Sequence, residues 1–404
     1  MSSTGVSRRR QIFFSTVLVV FGLGFALVAG ELMMRLADPP LFNSSMRVYD
    51  PELGWRSIPN KVLHRPMKQR VVRFAVNEAG FRDREHNVAR AVGGQAKPRP
   101  IRRIMIFGDS FTESAQVELH ETFWSLLKDR LNSRQDSVYW EVQSFGVGDW
   151  GTTQQWLAYQ KYGQIADLVI LQTFPLNDII NNSLAGANLA SSQDAYRPYL
   201  DPETQYRYLT YVNPRASWLR RHSKLARFLI QVSIKNGWSW AGEKHFKTLK
   251  ERFAYSDERA RELGLGEDAK FPALLFNALT YDPEQFELVR QGWKATDMSV
   301  RRIANLSKRR KAKMMVVVIP HIDQLAPHNE KLKKLPFTVR PTYAEDRLAK
   351  LLEKETEIPV VPLVEPLEAN MDIVWPYLEG HFNRPTHHLV AELLEQEVLK
   401  LFPD

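Results

Sequence analysis

Residues 103–114 read RIMIFGDSFTES, and this stretch decides the fold. Ile104 to Phe107 form a short unbroken apolar run, the composition of a strand buried on both faces. Gly108 breaks the run and Asp109 and Ser110 follow. Residues 121–132 then place Phe123, Leu126, Leu127 and Leu131 on one helical face. A strand that passes through a tight turn into a helix sets the turn's side chains at the carboxyl end of a parallel sheet, where open α/β folds bind ligands. A serine there is exposed and has backbone N–H groups beside it, which suits a nucleophile. The plainer alternative is that Ser110 only caps or shapes the turn.

The same rhythm recurs along the chain. Residues 138–145 read as a second strand, followed by the turn GVGDWG (146–151) and a helix from Thr152. Residues 167–174, DLVILQTF, are a third buried strand ending at Pro175-Leu176-Asn177-Asp178. Residues 181–282 lose the pattern and carry Trp218, Arg220, Arg221, Phe228, Trp238 and Trp240. We read them as a helical insertion or cap with its own local core; a groove for a sugar or acyl chain is the second reading. Regularity returns with a helix from Pro283 to about residue 307, a basic run (308–313) read as a solvated loop, and a strand at 314–319. A helix at 343–354, a fifth strand at 358–363 and a last helix carrying Val390, Leu393, Leu394 and Val398 complete the alternation. Strands alternating with helices predict an α/β fold, a parallel sheet with helices on both faces.

Composition bounds the function. The chain has 404 residues, 44% hydrophobic and 25% charged, which are ordinary globular values. It has no cysteine, which excludes disulfides, thiolate metal sites, a cysteine nucleophile and a lipid-modified N-terminal cysteine. The net charge of +9 is compatible with an anionic partner, but no zinc finger or RNA-recognition signature is present, and no nucleic-acid role is expected. No HExxH, phosphate loop or dinucleotide fingerprint occurs, so neither a cofactor nor a metal is expected.

Arg8, Arg9 and Arg10 precede an uncharged stretch at 11–30. As a helix it would extend about 30 Å, the thickness of a bilayer's hydrocarbon core. Leu27 stands where a cleaved signal ending at Ala29 would want a small residue, so an uncleaved anchor is favoured. A buried soluble helix is the third option. The arginines place the N-terminus in the cytoplasm and everything after Gly30 in the periplasm or another extracytoplasmic space. We therefore divide the chain into a cytoplasmic tip and transmembrane anchor (1–35), an N-terminal extension packed on the core (36–100), and an α/β/α domain (101–404) carrying the 181–282 insertion.

Three strand ends now carry polar punctuation, and a fourth element, Leu378-Glu379-Gly380-His381-Phe382-Asn383, precedes the last helix. This order resembles the SGNH (GDSL-like) hydrolase superfamily. Gly108-Asp109-Ser110 matches its nucleophile block, the Gly146 turn its second, Asn177-Asp178 its third and residues 379–383 its acid–histidine block. His387 matches a further histidine of the family. Upstream, LGW…PN (53–60) and NEAGFR (77–82) resemble segments of membrane-anchored bacterial members. The resemblance implies a three-layer α/β/α flavodoxin-like parallel sheet, with an N-terminal transmembrane helix and a helical insertion here. It also implies a catalytic Ser110 and His381, with Glu379 as the acid, and an oxyanion hole from Ser110, Gly148 or Asp149, and Asn177. Three positions depart from the family. Leu378 stands where its aspartate would be, Ser144 replaces an asparagine, and Asp149 falls on the glycine that donates the oxyanion N–H.

These residue types suit the chemistry. A serine hydroxyl needs a base to become a nucleophile at neutral pH, and an imidazole can take its proton and return it to the leaving group. The expected reaction is acyl transfer through a Ser110 ester, on a small ester or on cell-surface or exported carbohydrate. Water as acceptor makes an esterase and a sugar hydroxyl makes an O-acyltransferase. One alternative is a non-catalytic glycan-binding or scaffold partner of a polytopic acyltransferase or export complex. Another is a lipase or thioesterase. For the remaining candidates the structural role is favoured: His321 as a loop histidine, Asp178 as a turn-shaping residue, and His387 as a support for His381. His387 and His388 point in different directions on a helix and do not make a metal pair.

Overall fold

The computed structural model describes residues 8–37, 46–67, 70–86, 99–134, 137–182, 197–200, 208–210, 223–226, 228–229, 287–326, 330, 340–354, 358–374 and 380–403. Trp218, Arg220, Arg221, Trp238 and Trp240 of the insertion, and Leu378 and Glu379, lie outside the described residues.

The first helix, α1 (Arg8–Ala37), runs for 30 residues, and none of its apolar stretch is buried. Among the described residues nothing covers that stretch, and they give the soluble-core reading no support. Its far end is tied to the insertion. The Glu31 carboxylate accepts from Ser223 Oγ (2.7 Å), Lys224 N (3.1 Å) and Leu225 N (2.9 Å).

Two hairpins follow, β1 (Arg47–Asp50) with β2 (Gly54–Ser57), and β3 (Val62–Pro66) with β4 (Val71–Ala75). Then β5 (Ile101–Gly108), helix α2 (Ser110–Glu113), α3 (Phe123–Ser133), β6 (Tyr139–Gly146), α4 (Thr152–Tyr162), β7 (Leu168–Thr173) and α5 (Pro175–Asn182) alternate. A small ribbon, β8 (Pro198–Leu200) and β9 (Tyr208–Thr210), lies within the insertion. The alternation resumes with α6 (Glu287–Arg310), β10 (Lys313–Val318), α7 (Tyr343–Leu352), β11 (Val360–Pro362), α8 (Val364–Glu368), α9 (Met371–Val374) and α10 (Arg384–Leu401).

Five strands form one parallel sheet in the order β11-β10-β7-β5-β6. Counted along the chain this is 2-1-3-4-5, the flavodoxin-like order, whose switch point lies between β5 and β7. Successive side chains of a strand face opposite ways. Met105 and Phe107 therefore join Val169, Leu171, Met314 and Val316 on one face, under Tyr159, Trp293 and Leu348 of α4, α6 and α7. Ile104 and Ile106 join Val142, Ile170, Met315 and Val317 on the other, under Leu127, Leu367, Val390 and Leu394 of α3, α8 and α10. The three expected layers are present.

Boundaries differ where a cap overrides periodicity. Helix α3 starts at Phe123 because the Thr122 side chain accepts from Ser125 N (3.3 Å). The basic run at 308–313 is not a solvated loop. Lys308, Arg309 and Arg310 form the last turn of α6, and Arg310 donates to Tyr159 O (2.7 Å) and Gln160 O (2.9 Å). A cation thus adds a donor at the carbonyl end of α4, where backbone donors run out.

The segment after β4 reaches into the sheet. Asp83 Oδ2 accepts from Ser144 N (2.8 Å) and faces His86 Nε2 at 2.7 Å, while His86 Nδ1 lies 3.1 Å from Glu141 Oε1. Burial opposes charge on His86, but its two carboxylate partners outweigh burial and hold its pKa up at about 9. A histidine with a raised pKa stabilises fully below its unfolded pKa of about 6.5, and that contribution fades as pH climbs through 9. Thermal melts should therefore show His86→Gln well below the parent at pH 6, with the gap closing by pH 10. A gap independent of pH would contradict the charged assignment.

Candidate active site

Ser110 opens α2 at the carboxyl end of β5. Two glycines let its turn sit that deep. A Cβ on Gly108 would collide with Thr112 Oγ1 and Gln172 Oε1, and one on Gly146 would collide with the α2 backbone at Thr112 and Glu113. Asp109 caps the helix, its Oδ1 accepting from Phe111 N at 2.9 Å. From β7, Gln172 Oε1 accepts from Asp109 N (3.2 Å) and Thr112 Oγ1 (2.9 Å). The buried Arg82 guanidinium donates to the carbonyls of Glu113 (3.1 Å), Ser114 and Val117 just beyond.

The histidine arrives from 271 residues downstream, and His381 Nε2 lies 2.8 Å from Ser110 Oγ. Three consecutive residues place it. Phe382 is fully buried beside Phe111 and His387, with ring centroids at 4.8 and 5.8 Å. Asn383 caps α10, its Oδ1 accepting from Thr386 N at 2.9 Å. His381 itself packs on Phe111 at 4.8 Å. Glu379, the expected acid, lies outside the described residues.

The expected oxyanion donors come from the neighbouring turn after β6 and from the start of α5. Asn177, in the first turn of α5, donates from Nδ2 to Asp109 Oδ2 (3.0 Å) and accepts on Oδ1 from Asn181 Nδ2 (2.5 Å). An amide nitrogen carries two N–H groups, so one is left for an acyl oxygen. The Gly146–Gly151 turn lies against α2, with Val147 N donating to Gly108 O at 3.4 Å. Asp149 is the unusual member. Arg47 Nη1 donates to its Oδ2 at 2.9 Å, which commits the carboxylate to β1. Burial would push its pKa up, but Arg47, Arg197 and His381 hold it below the usual range. The carboxylate that stands in place of the family's glycine is thus paired with an arginine.

Buried Asp109 is pushed up to a pKa of about 6 by desolvation, against the hydrogen bonds its carboxylate accepts from Phe111 N and Asn177 Nδ2. Asp178 beside it is raised well above the ordinary carboxylate value by burial and by Asp109, and its Oδ2 accepts from Phe174 N at 2.9 Å. Asp178 shapes the turn, as expected. His321 is a cap, its Nδ1 accepting from Asp323 N at 3.2 Å. His387 makes no bond to His381 among those described. Its Nδ1 accepts from Phe123 N (3.1 Å) at the head of α3, and its ring stacks on Phe123. It supports His381 only through Phe382. No group of three or more His, Asp or Glu side chains placed to hold a metal occurs among the described residues.

Sequence reading missed the roles of Asp109, Gln172 and Asn181 as the hydrogen-bonded floor, and of Arg47, Trp55 and Arg82 from the extension. The segments LGW and NEAGFR were the available signal for two of them.

Burial, then Arg82, depresses the His387 pKa to about 3, so the folded protein keeps this ring neutral. A depressed base stabilises above its unfolded pKa of about 6.5, and the contribution is lost as pH falls towards 3. We expect acid unfolding of the parent to be shifted to lower pH in His387→Gln, with both unfolding alike above pH 7. Proton uptake by the parent at 387 without loss of structure, read by imidazole NMR, would contradict this.

No protein-family model matches the sequence, and no curated protein matches it. Among solved structures, the chain is similar to an acetyl xylan esterase at 12% identity, covering 73% of this chain and 99% of that one, with a TM-score of 0.36. A lipase from a goat rumen metagenome is 11% identical over 73% and 96%, with a TM-score of 0.38. A carbohydrate acetylesterase family member from Sinorhizobium meliloti is 10% identical over 74% and 98%, at 0.32. Likeness at this level reaches neither substrate nor activity. The strand order and the four blocks meeting at one rim give the chain an SGNH-like hydrolase fold.

Proposed function

We propose that this chain is a membrane-anchored serine esterase or acyltransferase of the SGNH type, acting on small acyl groups such as acetyl. The observation that carries the reading is the 2.8 Å approach of His381 Nε2 to Ser110 Oγ, within the reach a general base needs. Ser110 Oγ attacks the ester carbonyl carbon and its proton passes to His381. The oxyanion is met by Ser110 N–H, Asn177 Nδ2 and an N–H of the Gly148–Asp149 turn. Collapse expels the alcohol, which takes the proton back from His381, and leaves the acyl group on Ser110. Water or a sugar hydroxyl, deprotonated by the same imidazole, then releases it.

Carbohydrate at the cell surface or in export is the acceptor class this reading favours, with 11–30 in the cytoplasmic membrane, the N-terminus inside and the α/β/α domain in the periplasm. An exposed helix Arg8–Ala37, long and apolar enough to span a bilayer, supports the anchor.

The full chain in detergent should hydrolyse p-nitrophenyl acetate, and Ser110→Ala and His381→Ala should each slow it by at least about a hundredfold. If both variants keep the parent's rate, the assignment is wrong.

A further inference from the structure

Asp149 stands where the resemblance puts a glycine, and its backbone is left-handed, with φ +63°. That conformation is disfavoured for any residue with a Cβ and persists only where the surroundings over-determine it. Here they do. Arg47 Nη1 holds the carboxylate at 2.9 Å. Arg197 Nη1 (2.5 Å) and Asn181 Nδ2 (3.1 Å) both donate to the Asp149 carbonyl. The carbonyl before it, Gly148 O, accepts from Trp55 Nε1 at 3.3 Å. Both carbonyls flanking the Asp149 Cα are therefore claimed, while the Asp149 N–H meets no acceptor among the described residues.

A trans peptide carries its C=O and N–H on opposite edges of one plane. A bond to Gly148 O thus fixes the direction of Asp149 N–H. The reversed plane would turn a carbonyl, not a donor, towards an acyl oxygen on Ser110. Trp55 is well placed to hold that plane. Its side chain is 1% exposed, Arg197 Cζ lies 4.7 Å over its ring, and its own carbonyl accepts from Trp150 Nε1 at 3.0 Å. Two indoles thereby exchange hydrogen bonds between the extension and the catalytic turn.

We propose that Trp55 is a positioning residue, locking the Gly148–Asp149 peptide so that Asp149 N–H faces the oxyanion on Ser110. The inference rests on the serine ester chemistry proposed above. It adds a role for the N-terminal extension: through Trp55, β2 holds the peptide that would meet the oxyanion.

The test compares the parent with Trp55→Phe, which keeps an aromatic ring and removes the Nε1 donor together with part of the bicyclic ring. Both are assayed as full chains in detergent with p-nitrophenyl acetate, and with phenylboronic acid. The boron accepts Ser110 Oγ to form a tetrahedral anion, the serine proton passing to His381. We expect kcat to fall about 10- to 100-fold with KM within about twofold, and boronate affinity to weaken by a similar factor. A merely structural role would not move kcat and boronate affinity together. Unchanged kcat and boronate affinity in a folded Trp55→Phe would overturn the inference. Hydrogen–deuterium exchange on the parent gives a readout that needs no variant. Boronate should slow exchange in the peptide covering 146–151, and no slowing there overturns the inference even if Trp55→Phe fails to fold. Failure of the underlying reading is distinct: the parent then shows no turnover, or Ser110→Ala matches it.

Discussion

A buried carboxylate holds the strand ends in register. Asp109 has no exposure to solvent, yet it caps the helix that begins with Ser110, receives the Asn177 amide, and offers its own N–H to Gln172. A charge in that position is costly unless every lone pair facing protein is met. The demand works in reverse on the structure. Helix α2 must start where it does, β7 must present Gln172, and α5 must turn Asn177 inwards. The nucleophile's geometry is thus a by-product of satisfying its neighbour. Asp178, raised further by the same crowding, rests on the Phe174 N–H and fixes the first turn of α5 beside it.

The extension adds a second set of constraints from the opposite side. Arg82 donates to the carbonyls of Glu113, Ser114 and Val117 in α2 and the turn after it, with Phe74 beneath the guanidinium at 5.0 Å. Burial draws the Arg82 pKa down to about 10, so the side chain stays charged at neutral pH. Asp83 clasps the β6 backbone at Ser144, where the family resemblance expects an asparagine. Arg47 neutralises the carboxylate that replaces a glycine. The two positions that depart from the resemblance, 144 and 149, therefore both sit where the extension makes contact.

Much of this was legible beforehand, for physical reasons. Residues 104–107 and 168–171 are apolar without interruption because they are covered on both faces, and such runs read only as buried strands. Ser110, Asn177 and His381 were singled out by the blocks that resemble the SGNH superfamily, and the structure brings His381 to Ser110 and Asn177 to the adjoining Asp109. Local chemistry that depends on distant partners was not. Nothing near Arg310 says that it will close the end of α4, so a run of cations read as a loop. His387 looked like a helper of His381 because it is six residues away, but its ring nitrogen serves the N-terminus of α3, which lies 264 residues earlier. Trp55 and Arg82 sat in segments recognised as wholes, and no spacing rule assigns either side chain its carbonyl.

The separations that hide such partners from a sequence also order the assembly of the molecule. Trp55 and Gly148 are 93 positions apart, and Ser110 and His381 are 271 apart. Contacts closing loops of that length form late, after the local helices and neighbouring strands. Docking of the last helix seats Phe382 against Phe111 and brings the His381 imidazole to the Ser110 hydroxyl. The two side chains therefore meet only when the first strand of the sheet and the last helix have come together, so their approach is a product of the finished fold rather than of any local segment.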